Sequence, residues 1–362
     1  MANMVGEDGI YSRAAEGTYD RPPELNCITK VRTSSNLSWI VNREGAGVSL
    51  TNWQSDPSQI IYHGGRYHMW MIDLNRAECA EAHYWADPDF FKKPEGRDFR
   101  PRASRILYLS SQDTHHWTAH GHVPLGPAGS CYDLLLEQPN VVFYEGRFHL
   151  FTEVWSTNIE KYGHRMLGIA CLVADSPGGP WSLPPGTEIL VPPERDGTSW
   201  DTDRVLNPRH VYLDGKWLMY YKGVREGLPT ENGLAVADRL TGPYRKYEGN
   251  PLLIGHGHFC WRYKHGVLMV PNHTVQDVLS ETGQRWIHWS QDGIHFVPAG
   301  RSNGVFVFGS LYSPYDPLFG QPQTGEPVTE FWGFESVKTP DRDWDVERFE
   351  WRLGHLGQPA IL

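Results

Sequence analysis

The chain has 362 residues, 40% of them hydrophobic and 21% charged, with a formal net charge of −10. That length can bury a large core, and an aromatic content of 13%, with 15 tryptophans, excludes a disordered or low-complexity chain. The acidic balance, with no Lys/Arg stripe, argues against a nucleic-acid partner. No apolar run reaches the roughly 18–20 residues that a membrane-spanning helix needs.

The first residues, MANMVGEDGIYSR, lack the basic-then-apolar order of a signal peptide. The expected location is the cytoplasm, or the periplasm if a leader has been removed. Residues 1–35 read as an N-terminal arm or extension ahead of a single domain at 36–362. The five cysteines, Cys27, Cys79, Cys131, Cys171 and Cys260, are widely spaced and form no CxxC pair, so they read as reduced, mostly buried thiols.

From Asp56 onward the chain repeats itself. A polar residue, usually followed by Pro, opens a β run, a tight turn and an aromatic-rich strand. The copies are DPSQIIYHGGRYHMWM from Asp56, QPNVVFYEGRFHLFTE from Gln138, NPRHVYLDGKWLMYYK from Asn207 and a degenerate HFCWRYKHGVLMVPN from His258. Each reads as a hairpin. A second hairpin follows each first one, built around Asp113, Asp175, Asp238 and Asp292 in ILYLSSQDTHHWTAHG, LGIACLVADSPGGPWSL, NGLAVADRLTGPYRKY and WIHWSQDGIHFVPAG. Four strands per period of about 50–80 residues predict propeller blades. Segments near Glu330–Val337 and Val346–Leu353 complete the last one. The expected fold is all-β, a five-bladed β-propeller with a short N-terminal arm.

In a propeller the first strand of each blade lines the central channel, so residues opening the first repeat are neighbours in space. Asp56, Gln138, Asn207 and the His256–Gly257–His258 cluster therefore face one funnel. Asp56 is the strongest candidate, a carboxylate suited to activating water, although an Asp can also cap its own turn. His256 and His258 could bind a metal or move protons, and His256 would need a carboxylate nearby to stay protonated as an acid. Asp203 lies just ahead of the third inner strand, and Arg209 lies within it. Glu137 and Glu153 bracket the second inner strand; Glu153 could be held protonated among aromatics or simply be paired with an Arg. Most tryptophans, such as Trp70, Trp217 and Trp289, read as core, whereas Trp155 and Trp261 are expected to reach a ligand. No metal-ligand, nucleotide-binding or nucleophile-elbow motif is present.

The stretches DPSQIIYHGGRYHMW, WDTDRVLNPRHVYLDGKWLMYYKG and GLAVADRLTGPYRKYEGNPLLIGHGHFCWRYKHG resemble glycoside hydrolase family 117, a group of five-bladed propeller hydrolases related to family 43. The likeness runs from about Asp20, including DRPPEL at Asp20–Leu25, to Ala299. It implies an inverting exo-glycosidase that removes a terminal sugar, such as 3,6-anhydro-L-galactose or a related algal or plant sugar, from an oligosaccharide. It places Asp56 as general base and His256 as general acid, with Asn207 where the family carries an Asp. The expected ligand-contacting set is Glu137, Glu153, Trp155, Asp203, Arg209, His258 and Trp261. No cofactor is implied, though a structural cation could occupy the channel.

The chain departs from the family at three points. It reads Leu206–Asn207 for the family's HDP, GHG for GHE, and LLLEQP in the second blade. The family's arm-exchange motif SxAxxR is met at Ser12 and Ala14 but carries Gly17 for Arg, so a homodimer through the arm is weakly marked. Two other readings stay open: a family 43-like arabinosidase or xylosidase with Glu137 or Glu153 as acid, and a carbohydrate-binding propeller without turnover.

Overall fold

In a computed structural model, residues 27–32, 40–41, 52–75, 104–263, 265–272, 285–302, 309–312, 330–337 and 345–353 are described. Apart from one helical turn at Ile159–Tyr162, the regular elements among them are strands. The Ser12–Gly17 motif and the DRPPEL segment lie outside the described residues.

The first sheet holds β2 (Ile40–Val41), β3 (Trp53–Ser55), β4 (Ile61–His63), β5 (Arg66–Leu74), β6 (Ser104–Ser111) and β7 (Trp117–His122). Here β3 and β4 both pair with β5 and together form one interrupted inner strand. The second sheet is β8 (Leu135–Tyr144), β9 (Arg147–Trp155) and β10 (Met166–Ala174). The third runs β11 (Arg204–Leu213), β12 (Lys216–Val224), β13 (Glu231–Ala237), with β14 (Arg245–Lys246) and β15 (Leu253–Ile254) on its far edge.

The remaining sheet has eight strands. It contains β16 (Gly257–Tyr263), β17 (Gly266–Asn272), β18 (Arg285–Ser290), β19 (Val297–Ser302), β20 (Gly309–Tyr312), β21 (Glu330–Val337), β22 (Asp345–Leu353) and also β1 (Cys27–Arg32). Its order is β16-β17-β18-β19-β1-β22-β21-β20. β1 pairs antiparallel with β22 over five positions, from Ile28↔Leu353 to Arg32↔Phe349, but meets β19 in parallel at only two. Part of the 1–35 segment, expected to stand outside the repeat, is therefore a sheet strand. The reason is that β22 would otherwise expose an unpaired edge.

The repeated hairpins close as the sequence predicts. Gly64–Gly65, Glu145–Gly146 and Asp214–Gly215 are the two-residue loops between β4 and β5, β8 and β9, and β11 and β12. All six residues have φ between 49° and 77°, the signature of turns whose twist matches the strands they join. In the second hairpins, Asp113 and Asp292 each accept two backbone N–H bonds, from His115 and His116 and from Ile294 and His295. Side chains between the sheets form the core. Trp70, Trp217 and Trp289 are fully buried, as expected for alternating strand positions. Cys131, Cys171 and Cys260 are buried free thiols.

Candidate active site

The first three inner strands are each irregular at their X–Pro step. The residue before a proline is normally confined to extended conformations, and a non-glycine residue rarely takes a positive φ. Yet Asp56, Gln138 and Asn207 sit at φ 50°, 52° and 56°. The pairing shows how the chain accommodates this. Between β8 and β9 the register slips at Glu137/Asn140, and between β11 and β12 it slips at Leu206/Arg209. One extra residue is accommodated in the inner strand at each, a β-bulge that re-aims a side chain. Proline, with no N–H to give the ladder, is tolerated there.

Arg209 ties the three X–Pro steps together. Its guanidinium donates to the carbonyls of Pro139 (3.2 Å), Pro208 (3.0 Å) and Pro57 (3.2 Å). Three residues that directly precede three prolines are thus gathered around one cation. Arg209 is 1% exposed. Expected to contact ligand, Arg209 directs these donors at backbone carbonyls.

Asp56 is buried, accepts a hydrogen bond from Ser55 Oγ, and donates its own N–H to Ser336 Oγ at 3.0 Å. Its Oδ1 is buried and has no hydrogen-bond partner among the described residues. Burial pushes its carboxyl above the ordinary carboxylate range; Ser55, Lys222 and Arg209 hold it back, while Glu153 adds to the rise. Lys222, on β12, also lies 3.3 Å from His256 Nε2. Asp56 and His256 therefore share a neighbour. That neighbour is a cation, however, and the imidazole is driven down to about 2 by burial, Lys222 and Arg204. That direction runs against the expectation of a protonated His256 beside a carboxylate.

Two further buried carboxyls belong to the site. Glu137 and Glu153 face each other directly across β8 and β9. Arg204, on β11, clasps Glu153 with bonds of 2.8 and 2.9 Å and lies 3.8 Å from Glu137. One guanidinium cannot neutralise two buried carboxylates. Glu137 is raised to about 7, chiefly by burial and then by Glu153, against the pull of Arg204; Asp56 adds to the rise.

The other expected residues separate into supports. Trp155 is 2% exposed, donates to Glu153 Oε1 at 3.0 Å, and lies under the Arg204 guanidinium. Trp261 is 1% exposed and packs with Phe259, Tyr263, Leu268 and Trp289. Neither offers a ring face to a ligand, because both point into the layers between strands. His258 bonds Asn232 Oδ1 at 2.7 Å and is lowered to about 3 by burial and Arg209. Asp203 accepts the N–H of Glu226 at 2.7 Å and so anchors the loop after β12. Asn207 is buried with its Oδ1 unpartnered among the described residues.

Sequence reasoning missed Lys222 and Arg204. Lys222 ends the third hairpin, where YYK reads as a strand terminus. Its only signal was a Lys at the far end of a strand whose centre is apolar. Among the described residues, no three His, Cys, Asp or Glu side chains cluster as a metal site.

No family model and no curated protein sequence matches this chain. Solved structures do. A family 117 glycoside hydrolase from the marine bacterium Zobellia galactanivorans superposes with a TM-score of 0.68 at 22% identity, covering 92% of each chain. A GH43 enzyme from Xanthomonas citri complexed with xylose gives 0.51 at 14% identity, over 82% of this chain and 87% of that one. A family 43 arabinoxylan arabinofuranohydrolase from Bacillus subtilis, in complex with cellotetraose, gives 0.52 at 16%, over 85% and 64%. At these identities the likeness is one of fold. The chain is an all-β propeller.

Proposed function

We propose that the chain is a glycoside hydrolase that removes a terminal sugar from an oligosaccharide with inversion, and that it is a divergent relative of family 117. The observation that carries this reading is the buried carboxylate of Asp56, held at a strained X–Pro step with one free oxygen, near the Glu137–Glu153 pair that shares the single guanidinium of Arg204. Asp56 is more basic than an ordinary carboxylate and takes a proton from water. Glu137 gives its proton to the departing oxygen, and Glu153 with Arg204 sets when it does so. His256, being neutral, serves as a hydrogen-bonding wall of the site. The eight-stranded sheet is then two blades, β16–β19 and β20–β22 closed by β1, which makes five in all.

The test is product release from neoagaro-, arabino- and xylo-oligosaccharides, with the product anomer followed by proton NMR. Asp56→Asn should lower turnover by about 10²–10⁴. Glu137→Gln should remove the limb of the pH profile near 7, and His256→Gln should leave that limb in place. Full activity in Asp56→Asn on a confirmed substrate would end the assignment. A second reading, carbohydrate binding without turnover, draws on the neutral Asn207 at the position where the family carries a carboxylate. It predicts binding with no product from any of these oligosaccharides.

A further inference from the structure

The side chains before the three prolines differ in chemistry but share one property. Asp56 Oδ1, Gln138 Oε1 and Asn207 Oδ1 are all buried and all lack a hydrogen-bond partner among the described residues. Buried acceptors are ordinarily paired, and an unpaired one is costly. The three residues also share the left-handed backbone, itself a cost on the order of 1–3 kcal/mol each, and Arg209 gathers the carbonyls that follow them. Strain at three matched positions therefore places three unsatisfied acceptors together. Asp56 and Asn207 are already placed in the site. Gln138, which directly follows Glu137, is not.

We propose that Gln138, with Asn207, reads hydroxyl groups of the terminal sugar, and that the site selects an uncharged, hydroxyl-bearing ring there. This rests on the glycosidase reading above. Each unpaired amide oxygen needs a donor while its NH2 needs an acceptor, and a sugar hydroxyl can serve as either. A uronate carboxylate or a sulfate supplies only acceptors, so it would meet the amide NH2 groups but leave their oxygens unpaired, and it would face the Asp56 carboxylate. A site built to hydrogen-bond a hydroxyl rejects an analogue lacking it far more strongly than a shape-matched apolar pocket can. The varied residues ahead of the shared prolines are thus one catalytic oxygen and two recognition oxygens.

The experiment is calorimetric titration of the full chain with D-galactose, L-arabinose and D-xylose, their monodeoxy derivatives, and D-galacturonate. The variants are Gln138→Leu and the closer isostere Gln138→Met, each checked for an unchanged thermal melt. The wild type should bind at least one neutral sugar and prefer it to the uronate. Both variants should weaken that sugar roughly tenfold, yet leave unchanged the affinity for the one deoxy derivative that lacks the hydroxyl Gln138 reads. Equal weakening of every sugar, no weakening, tighter uronate binding or no sugar binding by the wild type would overturn the proposal. Tight calcium binding lost in both variants would also overturn it, by assigning the oxygens to a cation. Binding that depends on Gln138 without hydrolysis of any oligosaccharide would sink the hydrolase reading alone. Hydrolysis with kcat/KM untouched by Gln138→Leu would sink this one alone.

Discussion

Replacing Glu137 with Gln tests the shared proton directly, without a substrate. In the folded chain Glu137 titrates at about 7 against an ordinary value of 4.5. A group whose folded pKa is raised binds its proton more tightly when native. Its contribution to stability is therefore fully present below about 4.5 and declines as pH rises through about 7. The span corresponds to at most about 3 kcal/mol, at about 1.4 kcal/mol per pH unit. The substituted amide would be neutral at every pH and nearly the same shape. The difference in unfolding free energy, variant minus wild type, should accordingly grow by up to about 3 kcal/mol between pH 4.5 and 7 and then level off. Urea denaturation at half-unit pH steps from 4.5 to 8.5 measures it, with Tyr and Trp fluorescence as probe. Glu153 and Arg204 stay in place in both proteins, so the difference reads what the Glu137 carboxyl adds to the pair. A difference that stays flat across that range would refute the claim that Glu137 holds a proton near neutrality, and with it the assignment of this residue as acid.

Three further outcomes follow from the same geometry. Arg209→Met leaves the carbonyls of Pro57, Pro139 and Pro208 without their shared donor and should cost about 3 kcal/mol or more in chemical denaturation; a loss under about 1 kcal/mol would show that the bulges hold themselves. Lys222→Met removes the cation 3.3 Å from His256, so the imidazole should titrate above its present value of about 2, though still below its ordinary range because burial is the larger cause. Nitrogen-15 NMR of the histidine rings reads this, and an unmoved His256 would refute it. Trp261→Ala should destabilise by about 3–5 kcal/mol while leaving the dissociation constant of any bound sugar unchanged, since the ring is buried; weaker sugar binding with unchanged stability would return Trp261 to the site.

Much of the fold was legible because its signals are local. The GGR, EGR and DGK turns demand positive φ at two successive residues, and all three take it. Aromatic and β-branched alternation marked the flanking strands, and the packing of Trp70, Trp217 and Trp289 followed from it. The role of β1 was not legible. Its six residues, CITKVR, carry no turn or repeat signal, and only the free edge of β22 gives them a place. In the site, the X–Pro positions could be read as matched because the motif recurs. The direction of electrostatics could not. Whether His256 meets a carboxylate or Lys222 depends on residues 34 positions apart meeting across a sheet, and the proton on Glu137 depends on its pairing with Glu153 and on how much of Arg204 that partner takes.

The departures at the X–Pro positions and the strain of those positions bear on each other. A left-handed residue before proline is tolerated best where its side chain is short and polar, because Asn and Asp can stabilise that backbone locally. Gln has one more methylene and no such advantage, so at Gln138 backbone preference alone would favour Asn, Asp or Gly. That Gln stands there, with its oxygen buried and unpaired, means its reach matters more than local comfort. The extra methylene carries an acceptor about 1.5 Å further from the bulge than Asn207 carries its own. The same scaffold thus presents two amides of different reach on the two strands whose proline carbonyls Arg209 joins. A ring with hydroxyls on neighbouring carbons presents donors at such staggered positions. A flat or singly substituted ligand does not, and that difference is what the deoxy sugars measure.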